Sequence, residues 1–287
     1  MSDLKFPIQV NDLKKEYLNI KNEIDNAIKS CIDNTQFIGG EEVKRFEEEF
    51  SKKVSKKYCI SCANGTDALY IALKSFDLKN GDEVIVPALT WISSSETITQ
   101  AGGTPVFADI EEDVWVMSLE KIKECISKRT KGIILVNLYG RLGDVGKIAS
   151  FAKENNLFLI EDCAQSHLAK SDRTLKNSSD FSTYSFFPGK NLGAYGDAGA
   201  IVTDDEKLAN FCRLFSKHGA LKKGEHLIEG INSRLDTIQA AILRVKLKYL
   251  KINTLRRIEI AKTYYKYLKD IKKIKIPPIT SDFSHVY

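Results

Sequence analysis

The stretch Leu157-Phe158-Leu159-Ile160-Glu161-Asp162 runs four apolar residues, without alternation, straight into two carboxylates. A strand that is apolar at every position has both faces covered, which marks a parallel sheet packed between helices. The flanking sequence repeats the pattern. Short apolar runs at residues 132–138, 105–110, 83–86 and 58–63 read as further strands. Between them, residues 67–76, 92–100, 119–126 and 148–153 read as helices. This alternation predicts an α/β fold, a mostly parallel sheet with helices on both faces. In such sheets the chemistry sits where strands end at their carboxyl side.

The 287 residues are 43% apolar, an ordinary globular composition. The net charge of +5 gathers late, at residues 217–223 and 256–275, where solvated helix faces explain it better than a nucleic-acid groove. The first ten residues hold no apolar core of signal-peptide length, and no run approaches a membrane span. A cytoplasmic chain is therefore expected. The six cysteines are scattered. Cys59-Ile60-Ser61-Cys62 has redox or metal spacing but no second ligand pair, so it reads as buried strand and no metal is expected. At the start, Asn11 is the expected cap of one helix carrying Leu13, Tyr17, Ile20, Ile24, Ala27, Ile28 and Cys31. Val43, Phe46 and Phe50 mark a second helix. Beyond Asp205 the pattern is almost wholly helical, with residues 235–250 and 256–269 forming two helices or one bent one, closed by Ile276-Pro277-Pro278.

P-loop, dinucleotide-fingerprint, nucleophile-elbow and zinc-protease motifs are missing from the sequence. The informative residues fall at strand ends. Asn64-Gly65-Thr66 joins a strand to a helix N-terminus, a seat for phosphate or a simple turn. Trp91 follows the next strand, as a loop anchor or a flat surface for an aromatic ligand. Asp162 ends its apolar strand, either facing a cation or capping a helix in solvent. Gln165 lies three residues on. Ser185-Phe186-Phe187-Pro188-Gly189-Lys190 places one lysine behind apolar residues and ahead of Gly193, Gly196 and Gly199. Such a backbone turns tightly beside something. Lys190 is a surface lysine in a glycine-rich loop, or an amine whose charged form is disfavoured and which serves as base or imine former. Taken together, the pieces suit one ligand with a phosphate, an aromatic ring, a ring nitrogen kept protonated and an aldehyde. Pyridoxal phosphate has all four.

Several segments then resemble one family. They are Asn64-Gly65-Thr66-Asp67-Ala68-Leu69, Gly81-Asp82-Glu83-Val84-Ile85-Val86-Pro87, Ile160-Glu161-Asp162-Cys163-Ala164-Gln165, the run from Ser185 to Ala194, and the run from Asn232 to Leu243. In order, from about Phe37 onward, they are similar to the DegT/DnrJ/StrS sugar aminotransferases, fold-type I enzymes that use pyridoxal 5'-phosphate. The resemblance implies a seven-stranded-type sheet. It implies Lys190 as the Schiff-base lysine and Asp162 as the carboxylate facing the pyridine nitrogen. It further implies Gln165 near the ring hydroxyl, Trp91 stacked on the ring, and Gly65, Thr66 and Ser185 on the phosphate. Asn232 would reach the phosphate of a neighbouring subunit, hence a homodimer with shared sites.

A nucleotide-linked keto sugar and an amino acid donor, glutamate in most of the family, are the implied substrates. The implied pathway is amino-sugar biosynthesis for surface polysaccharide or glycoconjugate. Asn232-Ser233-Arg234-Leu235-Asp236 resembles members acting at C3, and Arg213, Lys217 and His218 are either contacts for the nucleotide diphosphate or exposed basic residues on a helix end. Asn137 stands where many relatives carry histidine. The implied layout is an N-terminal helical segment at 1–35, a cofactor-binding large domain at 36–240, and connecting helices at 241–287. There Ser284-His285-Val286-Tyr287 looks like the opening of a small C-terminal domain that is cut short. A cofactor-binding remnant or regulatory chain without turnover is the alternative that this leaves.

Overall fold

The computed structural model describes residues 11–170, 179–222, 224–280 and 284–287. Seven strands form the central sheet: β1 Tyr58–Cys62, β2 Glu83–Pro87, β3 Thr104–Ala108, β4 Thr130–Val136, β5 Phe158–Asp162, β6 Phe181–Ser185 and β7 Gly199–Thr203. Their order is β1-β7-β6-β5-β4-β2-β3. The β2–β3, β2–β4, β4–β5 and β5–β6 pairs are parallel, while β7 runs against both of its neighbours. Since β1 and β6 both oppose β7, β1 shares the direction of the parallel strands. The carboxyl ends of β1, β2, β4, β5 and β6 therefore lie along one edge of the sheet.

The helices are α1 Leu13–Asn19, α2 Lys21–Asp33, α3 Glu41–Lys53, α4 Gly65–Lys74, α5 Ser93–Ala101, α6 Leu119–Glu124, α7 Val145–Glu154, α8 Glu206–Phe215 and α9 Thr237–Leu268. Strand alternation divides the core between the two faces. Ile60, Ile134, Ile160 and Ile201 pack with Leu69 and Leu73 of α4, Ile98 of α5 and Cys212 of α8. On the opposite face, Ile133 and Leu159 pack with Ile122 and Ile148, while Ala200 and Val202 pack with Phe46, Phe50 and Leu243. Each fully buried Leu or Ile side chain contributes about 1.5–3 kcal/mol, so truncating one of these central residues would threaten the whole sheet.

Four local expectations change. Asp12, not Asn11, caps the first helix, its carboxylate accepting the Lys15 amide at 2.9 Å. The single helix expected there is two, because Ile20 leaves helical geometry at φ −126° and ψ 19°. A small hairpin, β8 Ala220–Lys222 and β9 Glu225–His226, interrupts the expected helical region, with Gly224 at its turn taking a left-handed φ of 87°. Finally, of the two forms expected for residues 235–269 the single helix is the one present, α9, but it ends at Leu268, well before Ile276-Pro277-Pro278. Cys59 and Cys62 are buried in β1 with free thiols, and burial pushes both thiols up.

Candidate active site

The turn after β1 is shaped by close backbone approach. Across the sheet edge Cys62 and Ser185 are both registered with Gly199 of β7. A Cβ on Gly199 would stand 2.3 Å from the Asn64 carbonyl oxygen, and one on Gly65 would stand 2.6 Å from Ser185 Cβ. Two missing side chains thus let the Asn64-Gly65 turn cross β7 and meet the end of β6. Asn64 caps α4 by accepting the Asp67 amide at 2.8 Å. The Gly65 and Thr66 amides donate to no described residue. With the Thr66 and Ser185 hydroxyls nearby, they form a seat for an anion at the positive end of the helix dipole.

Asp162, at the end of β5, is 7% exposed. One carboxylate oxygen accepts the Ala164 amide at 3.1 Å and the other accepts the Ser94 hydroxyl at 3.0 Å. Its backbone carbonyl takes the Asn137 amide at 3.1 Å. Burial pushes the carboxyl above its ordinary range, opposed by those two hydrogen bonds and by the charge of Lys190. Lys190 is half-buried, and desolvation pushes its amine below the usual lysine range while Asp162 pulls it back. No described carboxylate lies within ion-pair distance of Lys190. Burial thus drives the carboxyl up and the amine down, and the charge of each partly offsets the shift of the other.

The Lys190 loop is fixed through its backbone and neighbours. Lys190 donates its amide to Phe187 at 2.9 Å, Asn191 donates to the Tyr287 carbonyl at 3.1 Å, and the Tyr195 amide meets Gln239 at 2.8 Å. Gly193, Gly196 and Gly199 do not have left-handed φ values. Their spacing serves close approach to Pro188, Gln239 and Asn64 instead.

The other expected residues divide. Gln165 accepts the Tyr139 amide through Oε1 at 2.6 Å, leaving its amide group without a described partner. Trp91 is 73% exposed at the site's rim. Asn232 is exposed, with its backbone bridged to Lys217, and its neighbour Ser233 accepts the Ala63 amide and donates to Asp67. The Asn232 side chain has no described hydrogen-bond partner. Arg213 pairs with Glu47 at 2.8 Å and donates to the Cys59 carbonyl, so it braces β1. Lys217 and His218 are exposed.

Three residues escaped the reading of the sequence, and a fourth, Asn137, was read only as standing where many relatives carry histidine. Ser93 lies 2.7 Å from the Thr66 hydroxyl, and Ser94 binds Asp162. Buried Asn137 donates to Cys163 at 3.5 Å and accepts the Gly143 amide, so it supports the turn after β4. His167, fully buried, stands 5.4 and 5.6 Å from the Tyr184 and Phe186 ring centroids. Neither of its ring nitrogens has a described hydrogen-bond partner, and burial, then the charge of Lys190, holds its pKa down at about 3. Only the position of His167 shortly after Asp162 could have suggested it.

No described helix is long and apolar enough to cross a membrane, and no group of described His, Cys, Asp and Glu residues could hold a metal ion. The sheet, with its functional edge assembled from five strand ends, is that of a fold-type I aminotransferase. The model of the DegT/DnrJ/EryC1/StrS aminotransferase family matches residues 18–287, and the chain belongs to that family. It is 41% identical to the UDP-2-acetamido-2-deoxy-3-oxo-D-glucuronate aminotransferase of Pseudomonas aeruginosa, covering 92% of this chain and 74% of the relative. It is 42% identical to the dTDP-3-amino-3,6-dideoxy-alpha-D-galactopyranose transaminase of Aneurinibacillus thermoaerophilus, covering 96% and 76%. Among solved structures, NtdA of Bacillus subtilis with bound cofactor PMP superposes with a TM-score of 0.89 at 34% identity, covering 99% of this chain and 66% of that one. The enzyme is a pyridoxal-phosphate-dependent aminotransferase. The residues present fit that cofactor: the Gly65–Ser185 contact leaves free amides for a phosphate, and a buried carboxylate and a desolvated amine stand beyond it.

Proposed function

We propose that the chain moves an amino group from an amino acid, glutamate, to the C3 carbonyl of a nucleotide-linked keto sugar. The setting is cytoplasmic amino-sugar biosynthesis for a surface polysaccharide or glycoconjugate. The observation that carries the chemistry is the set of groups at the strand ends: the anion seat at Gly65, Thr66 and Ser185, the buried Asp162 held by the Ala164 amide and the Ser94 hydroxyl, and the half-buried Lys190. Support for the sugar comes from the two relatives, both named for sugars with a 3-oxo or 3-amino group.

When bound, pyridoxal phosphate supplies an aldehyde that condenses with amines and a ring that accepts electrons. The Gly65 and Thr66 amides, with the Thr66 and Ser185 hydroxyls, would hold its phosphate. Trp91 would cover one ring face, and the free amide of Gln165 would meet the ring hydroxyl. Asp162 would hold the proton on the ring nitrogen. Lys190 is the amine that would hold the aldehyde, and its Nζ would serve as the base that accepts the proton from the donor's Cα and as the acid that delivers one to the sugar carbon. The lowered basicity of that amine suits it to both tasks.

The assembly in this reading is a homodimer in which Asn232 reaches the phosphate of the neighbouring subunit's cofactor. Exposed Trp91, Ile92, Phe187, Leu227 and Ile228 supply apolar surface compatible with such a contact. In this reading residues 36–240 form the cofactor-binding unit, residues 1–35 lead into it, and residues 241–287 carry the connecting helices. Incubation with cofactor, glutamate and a panel of nucleotide-linked 3-keto and 4-keto sugars tests the substrate. Release of 2-oxoglutarate with a 3-keto sugar is expected; release with only a 4-keto sugar would move the assignment to C4.

A further inference from the structure

Helix α5 opens with three consecutive serines, and their hydroxyls do different things. Ser95, Thr97 and Thr99 all donate to carbonyls of their own helix, the usual recourse of a helical hydroxyl. Ser93 and Ser94 do not. Ser93 turns to Thr66 at 2.7 Å, and Ser94, with no exposed surface, turns to Asp162 at 3.0 Å. Two adjacent residues of one helical turn therefore grip the two parts of the site that are farthest apart in function, the anion seat and the buried carboxylate.

The direction of the Ser94 bond follows from counting protons. An ionised carboxylate only accepts, so Ser94 gives its single hydroxyl proton to Asp162. The Thr90 hydroxyl lies 2.9 Å from Ser94 Oγ, and with that proton committed, Thr90 is the donor of the two. The chain runs Thr90 to Ser94 to Asp162, each bond polarising the next away from water. Its far end sits beside Trp91, whose carbonyl accepts the Ser94 amide at 3.1 Å.

We propose that Ser94 is a positioning residue: oriented by Thr90, it keeps Asp162 ionised and aimed at the cofactor's ring nitrogen. The Ala164 amide occupies the other carboxylate oxygen, so Ser94 fixes the plane of the group while leaving lone pairs toward the site. Removing the hydroxyl withdraws one of the two protein hydrogen bonds that oppose desolvation of Asp162. The proposal rests on the reading of Asp162 as the ring-nitrogen partner.

The test is the dissociation constant of pyridoxal phosphate for the full chain, measured by absorbance titration in wild type, S94A, S94T, D162N and S94A/D162N. Thermal unfolding confirms that each variant is folded. Loss of a hydrogen bond to a charged group predicts roughly 10-fold weaker binding, or more, in S94A. S94T, which keeps a hydroxyl, stays close to wild type. In the D162N background S94A adds little, because the group it acts through has gone. Infrared titration of the Asp162 carboxyl in the cofactor-free chain should move upward in S94A and return in S94T. Equal losses in both backgrounds, an unmoved titration or undiminished binding in S94A overturns the proposal. D162N without effect on affinity overturns the underlying reading of Asp162, which is told apart from failure of Ser94 alone, where D162N weakens binding and S94A does not.

Discussion

Asp162 and Lys190 belong to neighbouring parts of the same sheet edge, yet the fold holds them in opposite ways. Asp162 is seated inside a strand, with an amide on one oxygen and a hydroxyl on the other. Lys190 lies in a loop whose backbone is tied at Phe187, Asn191 and Tyr195, while its amine lies within ion-pair reach of no described carboxylate. The contrast suits their proposed tasks. A group that keeps a proton on a ring nitrogen must stay still. A group that attaches, is displaced and then carries protons needs a fixed base and a free end.

The strongest way to break the contrast is to remove the free end. Lys190→Ala should lower turnover by roughly 10⁴-fold or more, read as 2-oxoglutarate release. Little change would return the lysine to a structural role. Removing the fixed end comes next. Asp162→Asn should cut turnover by about 10²-fold or more, the usual cost of one preorganised electrostatic group. It also carries a pH signature. The Asp162 charge raises the Lys190 amine against desolvation, so its loss lets that amine fall further. The pH midpoint for cofactor attachment should therefore move down in the variant, and a midpoint that stays put or rises would uncouple the two groups.

How much of this was legible in the sequence depended on the range of the interactions. Asp162, Lys190 and the Asn64-Gly65-Thr66 turn stood out because local chemistry marks them: a charge after an apolar strand, a lysine among glycines, a helix start. The sheet was legible because burial on both faces writes itself into every strand. Ser94 was not, since its partner lies 68 positions away and a serine-rich helix looks like any other. The same reason hid the Arg213–Glu47 pair, 166 positions apart. The break at Ile20 and the β8–β9 hairpin were missed because neither has a strong local stop signal beyond Gly224. The glycines at 193, 196 and 199 announced a tight place but not what was near it.

Smaller changes sharpen the comparison. Gly199→Ala places a methyl group 2.3 Å from the Asn64 carbonyl and must displace the turn. A loss of about 1–3 kcal/mol in stability is expected from such overpacking, together with weaker cofactor binding. Unchanged unfolding and binding would mean that the turn has slack. The smallest effect concerns His167. Its folded pKa, about 3, lies below the ordinary value of 6.5. Between those values the unfolded chain takes up a proton that the folded chain refuses, so its stability contribution is present above 6.5 and lost as pH falls toward 3. His167→Phe should remove that component, by at most about 1.4 kcal/mol per pH unit. Denaturant titrations across the range would show a shallower acid-side decline than wild type. An identical slope in the two proteins would remove His167 from the account.

The central claim is that Lys190 is the residue to which the cofactor attaches. Reduction of the cofactor-loaded protein with borohydride, followed by peptide mass spectrometry, tests it without any substrate. The account predicts one modified peptide, carrying the reduced cofactor on Lys190. Modification on another lysine, or none on a protein that has bound the cofactor, would contradict it.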